Sequence, residues 1–104
     1  VSASRIETLR QMVVARPDDP RPRFGLALEY ERAERWDDAV RELRIYLQHA
    51  DDEGNAYGRL GNALRRLGRD AEARDAFEDG IRAAERHGHP TMAQEFEEAL
   101  EERE

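Results

Sequence analysis

Two stretches of this 104-residue chain repeat each other at a spacing of 34 residues. Leu26 and Ala39 recur as Leu60 and Ala73, Leu43 recurs as Phe77, and Leu47 recurs as Ile81. A fixed period of that length marks a helix-turn-helix unit that cannot bury its own apolar face and has to stack on a neighbour. The period predicts an all-α fold, a right-handed helical-repeat solenoid of antiparallel helix pairs with about six helices. The useful surface of such a stack is a groove.

Composition narrows the class further. At 104 residues one domain, 1–104, is expected, with just enough length for an independent core. Hydrophobic residues make up 38% and charged residues 39%, which suits a two-layer helical stack with much exposed surface. There is no cysteine, so disulfides and thiolate metal sites are excluded. No apolar run approaches the ~20 residues that span a bilayer. The first residues lack a signal-peptide core, so a soluble, cytoplasmic protein without membrane contact is expected. The net charge of −7 argues against a nucleic-acid partner, because phosphate binding needs a positive surface. All 17 basic residues are arginine. Arginine suits bidentate carboxylate or phosphate contacts, and a GC-rich coding sequence produces the same bias.

Periodicity and punctuation place the helices. Ile6, Leu9, Met12 and Val13 share one face of a first helix over about 3–16, ended by Pro17-Asp18-Asp19-Pro20. A second, about 21–33, carries Leu26, Ala27 and Tyr30. A third, about 37–49, carries Ala39, Val40, Leu43 and Leu47, with Trp36 just ahead of it. After Asp51-Asp52, a fourth helix over about 54–67 bears Tyr57, Leu60, Gly61 and Leu64. Gly68 suits the left-handed residue that closes it. A fifth, about 70–86, shows Ala73, Phe77 and Ile81. His87-Gly88-His89-Pro90 precedes a sixth, marked by Met92, Phe96 and Leu100. The short loops force antiparallel neighbours.

These residues resemble the tetratricopeptide repeats. The second unit reads Tyr57-x-x-Leu60-Gly61-x-x-Leu64, then Ala73-x-x-x-Phe77. The first reads Arg23-x-x-Leu26-Ala27-x-x-Tyr30, then Ala39-x-x-x-Leu43. Gly61, Ala27, Ala39 and Ala73 are small where the family brings paired helices close together. Arg23 departs from the family's aromatic, Leu43 from its bulky aromatic, and Asp70 stands where Trp36 stands in the first unit. The resemblance implies a short, bacterial-type two-repeat protein: a half-repeat over 3–19, repeats over 20–53 and 54–87, and a capping helix over 90–103. The last helix fits a lag of 36 rather than 34, pairing Leu60 with Phe96 and Leu64 with Leu100, and leaving Glu97 and Glu101 toward solvent.

In the resembled family the first helices of successive units line a concave groove that binds peptides or protein segments. The face of the fourth helix opposite Leu60 and Leu64 carries Asn55, Arg59, Asn62 and Arg66. The matching face of the second carries Arg21, Leu28 and Arg32, with Phe24 at its margin. Guanidinium and amide donors beside an apolar patch suit an acidic segment with one anchoring side chain. At the lag of 36, however, Arg59 and Arg66 map to Glu95 and Glu102, and interhelical salt bridges are an equal reading. A carboxylate clamp of the family's best-known kind needs Lys, Asn and Arg on three first helices, and only Asn62 with its arginine neighbours resembles it.

Other chemistry is thin. His87-x-His89 lacks a third ligand by sequence and reads as a solvated loop. Trp36 and Tyr30 read as packing residues. Asp18-Asp19 and Asp37-Asp38 read as helix-capping and first-turn acids, and Glu95 to Glu104 as a solvated acidic face. No nucleophile-plus-base pair and no phosphate loop is present, so no catalytic residue, cofactor or metal site is expected. Two function classes remain: an adaptor that binds a protein or peptide, acidic in character, and a structural subunit that self-associates into a homo-oligomer or docks through its first or last helix.

Overall fold

A computed structural model describes the backbone of residues 2–102 and the side chains of residues 4–102. Arg103 and Glu104, expected at the end of the capping helix and of the acidic run, lie outside the described residues. Among the described residues the chain is all-α: α1 Ser2–Ala15, α2 Pro20–Arg32, α3 Trp36–His49, α4 Asn55–Arg66, α5 Asp70–Arg86 and α6 Pro90–Glu101. Neither strand nor bridge occurs among them.

Local chemistry accounts for the helix ends. Asp19 caps α2, accepting from the Arg21 backbone N–H at 3.0 Å, and Pro20 takes the first helical position, where no backbone donor is needed. Asp52 does similar work before α4: its carboxylate accepts from the N–H groups of Gly54 and Ala56, each at 2.9 Å. Gly68 stops α4 with a φ of 74°, and the N–H of Arg69 returns to the Leu64 carbonyl at 2.9 Å. The same turn after α2 is made by Glu34 at φ 56°, with Arg35 N–H donating to the Tyr30 carbonyl at 2.8 Å. Asp37 and Asp38 lie in the first turn of α3, where the helix dipole favours them.

The chain divides into two units, Val1–Ala50 and Asp51–Glu104. In the first, α1 packs on α2 and α2 on α3. Ile6, Leu26, Tyr30 and Ala39 form a buried cluster against which Leu9 and Val13 pack. Arg5 meets Glu29 and Leu9 meets Gly25, so α1 and α2 run antiparallel. Two carboxylates are buried here as well, Glu29 at 3% exposure and Glu42 at 6%. Each is paired with arginine: Glu29 with Arg5 at 3.0 Å and Arg32 at 3.2 Å, Glu42 with Arg23 at 3.0 Å and Arg41 at 3.4 Å. Pairing is the condition on which a charge is tolerated out of water.

The second unit is held by glycine against aromatic. A Cβ on Gly61 would lie 2.7 Å from the Phe77 ring, so α4 and α5 touch at a distance only glycine permits. A Cβ on Gly58 would lie 2.6 Å from Phe96, and one on Gly80 would lie 2.9 Å from the same ring. Phe96 of α6 thus sits between a glycine of α4 and a glycine of α5. Tyr57 faces Gly80 while Gly61 faces Phe77, so α4 and α5 are antiparallel. Met92 lies by Gly54, Phe96 by Gly58, and the Ala99 carbonyl by the Arg65 guanidinium, so α6 runs parallel to α4. Successive first helices of a helical repeat are related in this way.

Candidate protein-interaction site

The expected site residues fall on α2 and on α4, and each group is set by its own unit. On α2, Arg21 is exposed and folds back on the cap: its guanidinium reaches both Asp19 oxygens, at 3.0 and 2.8 Å. That contact, followed by the Arg21 backbone donor, pulls the Asp19 carboxyl down to about 2. Asp19 in turn raises Arg21 above its ordinary value. Phe24 is half-buried, its ring 5.0 Å from that of Tyr46 on α3. Leu28 is half-buried. Arg32 is exposed while it pairs with buried Glu29. Three of the four α2 positions therefore already serve local contacts, and the charges of Arg21 and Arg32 remain at the surface.

On α4, Asn55, Asn62 and Arg66 are exposed and Arg59 is half-buried. Their spacing keeps them on one face of the helix. The Gly54, Gly58 and Gly61 edge of α4 is given over to Met92, Phe96 and Phe77. Arg59 and Arg66 are each engaged by an interaction in the structure, so neither is a spare cation. Glu95 and Glu102, to which the repeat register maps them, are exposed. Arg65, the neighbour that the stripe leaves out, stacks 4.6 Å from the Phe77 ring centroid and donates to the Ala99 carbonyl.

The remaining candidates resolve into structure. Trp36 is half-buried as the first residue of α3, and Tyr30 is 1% exposed with Arg35 stacked 4.7 Å from its ring centroid. His87 Nε2 lies 3.2 Å from Asp51, Arg86 lies 3.0 Å from the same carboxylate, and the His89 ring meets Glu53. The contacts with His87 and then Arg86 lower the Asp51 carboxyl, and the bond with His89 lowers Glu53. These contacts clip the α5–α6 turn to the segment before α4. Among the described residues no group of three or more His, Asp or Glu could hold a metal ion. No described helix is long and apolar enough to cross a membrane.

Sequence reasoning missed two sets of residues. The first is Gly58 and Gly80, which admit Phe96; a glycine inside a helix costs about 1 kcal/mol, and that cost was the available signal of a packing role. The second is the buried pair Glu29 and Glu42. Nothing in their local pattern separates them from solvated acids, because their arginine partners include Arg5 and Arg23, far away in sequence.

No protein-family model matches the chain, and no curated protein matches it. Solved structures do. MamA MSR-1 aligns at 28% identity with a TM-score of 0.64, covering 91% of this chain and 67% of that one. A point mutant of MamA aligns at 26% identity and 0.65, covering 95% and 66%. MamA AMB-1 aligns at 27% identity and 0.62, covering 93% and 65%. The chain thus spans about two thirds of the length of the MamA structures. MamA contains tetratricopeptide repeats. The chain is a helical repeat of similar fold.

Proposed function

We propose that the chain is a protein-interaction module of tetratricopeptide type, an adaptor that binds an extended, acidic protein segment in the cytoplasm. It would do so without catalysis, cofactor or metal. Its repeats would be 20–53 and 54–87, flanked by the half-repeat 3–19 and the capping helix from 90. The contacts would come from Arg21, Phe24, Leu28 and Arg32 on α2 and from Asn55, Arg59, Asn62 and Arg66 on α4.

The observation that carries this reading is the fold likeness to MamA along more than nine tenths of the chain. The α4 stripe supplies the chemistry. Between Asn55 and Arg69 there are four arginines, Arg59, Arg65, Arg66 and Arg69, and no acid, in a chain of net charge −7. A guanidinium has five donors, so an arginine that already holds one contact can accept a ligand carboxylate beside it. The half-buried Phe24 and Leu28 offer apolar area for an anchor.

Arg59→Glu combined with Arg66→Glu tests the reading. The double variant should lose capture of an acidic partner segment by at least tenfold while its thermal melt stays within a few degrees of the parent. Any residual binding should be less sensitive to salt, because the steering charge is gone. A falling melt that Glu95→Arg with Glu102→Arg restores, together with intact capture, would assign the two arginines to internal pairing and end the proposal.

A further inference from the structure

We infer that the chain pairs head to tail with a second copy of itself, α1 of one copy lying in the α5–α6 groove of the next. The inward face of α1, Ile6, Leu9 and Val13, rests on α2. Met12 stays 46% exposed and Val14 81%, the large hydrophobics most exposed to water among the described residues. The repeat says what Met12 lacks. At the spacing of 34, Arg5, Leu9 and Met12 correspond to Ala39, Leu43 and Tyr46 of α3, and to Ala73, Phe77 and Gly80 of α5. Tyr46 packs on Phe24 of α2, and Gly80 on Tyr57 of α4. The Met12 flank of α1 is thus the surface that, in α3 and α5, meets a first helix.

The complementary surface lies on α6. This helix runs parallel to α4 and so stands in the place of a first helix. A groove of about 670 Å³ opens along it, its walls including Glu85, Ala93, Gln94, Glu97, Glu98 and Glu101. At the lag of 36, Tyr57, Gly58 and Gly61 map to Ala93, Gln94 and Glu97. Ala93 and Gln94 are therefore the counterparts of the residues that receive Gly80 and Tyr46, which places Met12 of a second copy over them. Glu97 stands where Gly61 stands, so a second copy's α1 cannot come as close as α5 comes to α4. Charge compensates for that distance. Four glutamates line the groove, while α1 and the residue after it carry Arg10 and Arg16, besides the Arg5 that holds Glu29, against a single acid, Glu7. Lengths also match: α1 has 14 residues and α6 has 12. The two faces differ from each other, so the contact is heterologous, and each copy keeps one free face of each kind.

The experiment uses two variants of the full chain, followed by sedimentation velocity over a concentration series. Met12→Glu disables α1, at a half-exposed position that leaves the α2 contact intact. Glu97→Arg with Glu101→Arg disables the groove on exposed residues. The parent should gain mass with concentration and lose it in high salt, and each variant alone should associate at least tenfold more weakly. An equimolar mixture of the two variants should form a dimer and stop there, because one sound α1 and one sound groove remain between them. A mixture that stays monomeric, a variant that associates as well as the parent, or a parent that is monomeric throughout would each overturn the inference. The last result would assign these faces to another protein or to further chain. None of the α2 and α4 stripe residues takes part, so the pairing and the peptide-binding reading can fail separately.

Discussion

The two units share one 34-residue pattern and hold themselves together by different means. In Val1–Ala50 the space between helices is filled by side chains on both sides: Phe24 against Tyr46, and buried Glu29 and Glu42 against arginines. In Asp51–Glu104 it is emptied on one side and filled from the other: Gly58, Gly61 and Gly80 give way to Phe77 and Phe96. Arginine–glutamate pairs are directional and carry a desolvation cost that partly cancels their attraction. Glycine–aromatic contacts are dispersive and depend on volume. The first unit should therefore respond most to changes of charge, and the second most to changes of size. The repeat pattern constrains the positions at which helices meet, and leaves the chemistry of meeting free.

The largest expected effect is Phe77→Ala. Phe77 is 2% exposed and touches Gly61, Arg65 and Phe96. Its removal should cost about 3–5 kcal/mol, against about 2–5 kcal/mol for Leu43→Ala at the equivalent place in the first unit. Denaturant unfolding of both variants checks the ranking; a larger loss for Leu43→Ala would remove the special standing of the glycine–aromatic contacts. Next comes Gly61→Leu, which should cost about 1–3 kcal/mol by overpacking. Its helix-propensity gain of about 1 kcal/mol does not offset that. Hydrogen exchange should show the loss first in amides of α4 and α5, and a melt equal to the parent's would mean that the close approach is not needed.

Acid should separate the units by their clips. Asp51 and Glu53 lie below their ordinary values in the fold, so their pairings with His87, Arg86 and His89 stabilise above about pH 4. That contribution is lost as pH falls through their lowered values. The Asp19 cap, with its carboxyl at about 2, should persist until pH falls from near 3.8 toward 2. Carboxyl NMR titration reads all three groups, and Asp51→Asn should abolish the part due to His87 and Arg86 while leaving the Glu53–His89 part. An Asp19 midpoint at or above 3.8 would contradict the bidentate Arg21 contact. The smallest effect tests the turns. Glu34 holds a φ of 56° where Gly68 holds 74°, and glycine tolerates that region without a Cβ penalty. Glu34→Gly should stabilise by about 0.5–1 kcal/mol despite the added freedom of the unfolded chain. A destabilised variant would mean that the Glu34 side chain contributes more than its backbone costs.

Much of this architecture is written in local pattern. The doubled spacing of Leu26, Ala39 and Leu43 with Leu60, Ala73 and Phe77 determined an all-α helical repeat, because only a helix brings residues three and four apart onto one face. Pro20, Asp19, Asp52 and Gly68 determined helix ends, since capping and left-handed turns are properties of a few consecutive residues. Gly61 could be read as a close-contact site through the resemblance to the repeat family, and the side chain that needs the space, Phe77, lies within the same repeat. What the sequence left open was everything that depends on which distant side chain arrives. Glu29 and Glu42 look like any surface acids until Arg5 and Arg23 are brought beside them. Gly58 and Gly80 acquire a purpose only when Phe96 comes to lie between them. Arg59 and Arg66 read as a basic stripe along the helix, whereas in the structure each already carries an interaction. Backbone preference acts over a turn or two of chain, whereas burial and charge pairing act through space, so only the folded chain decides which charges are buried and which are left for a partner.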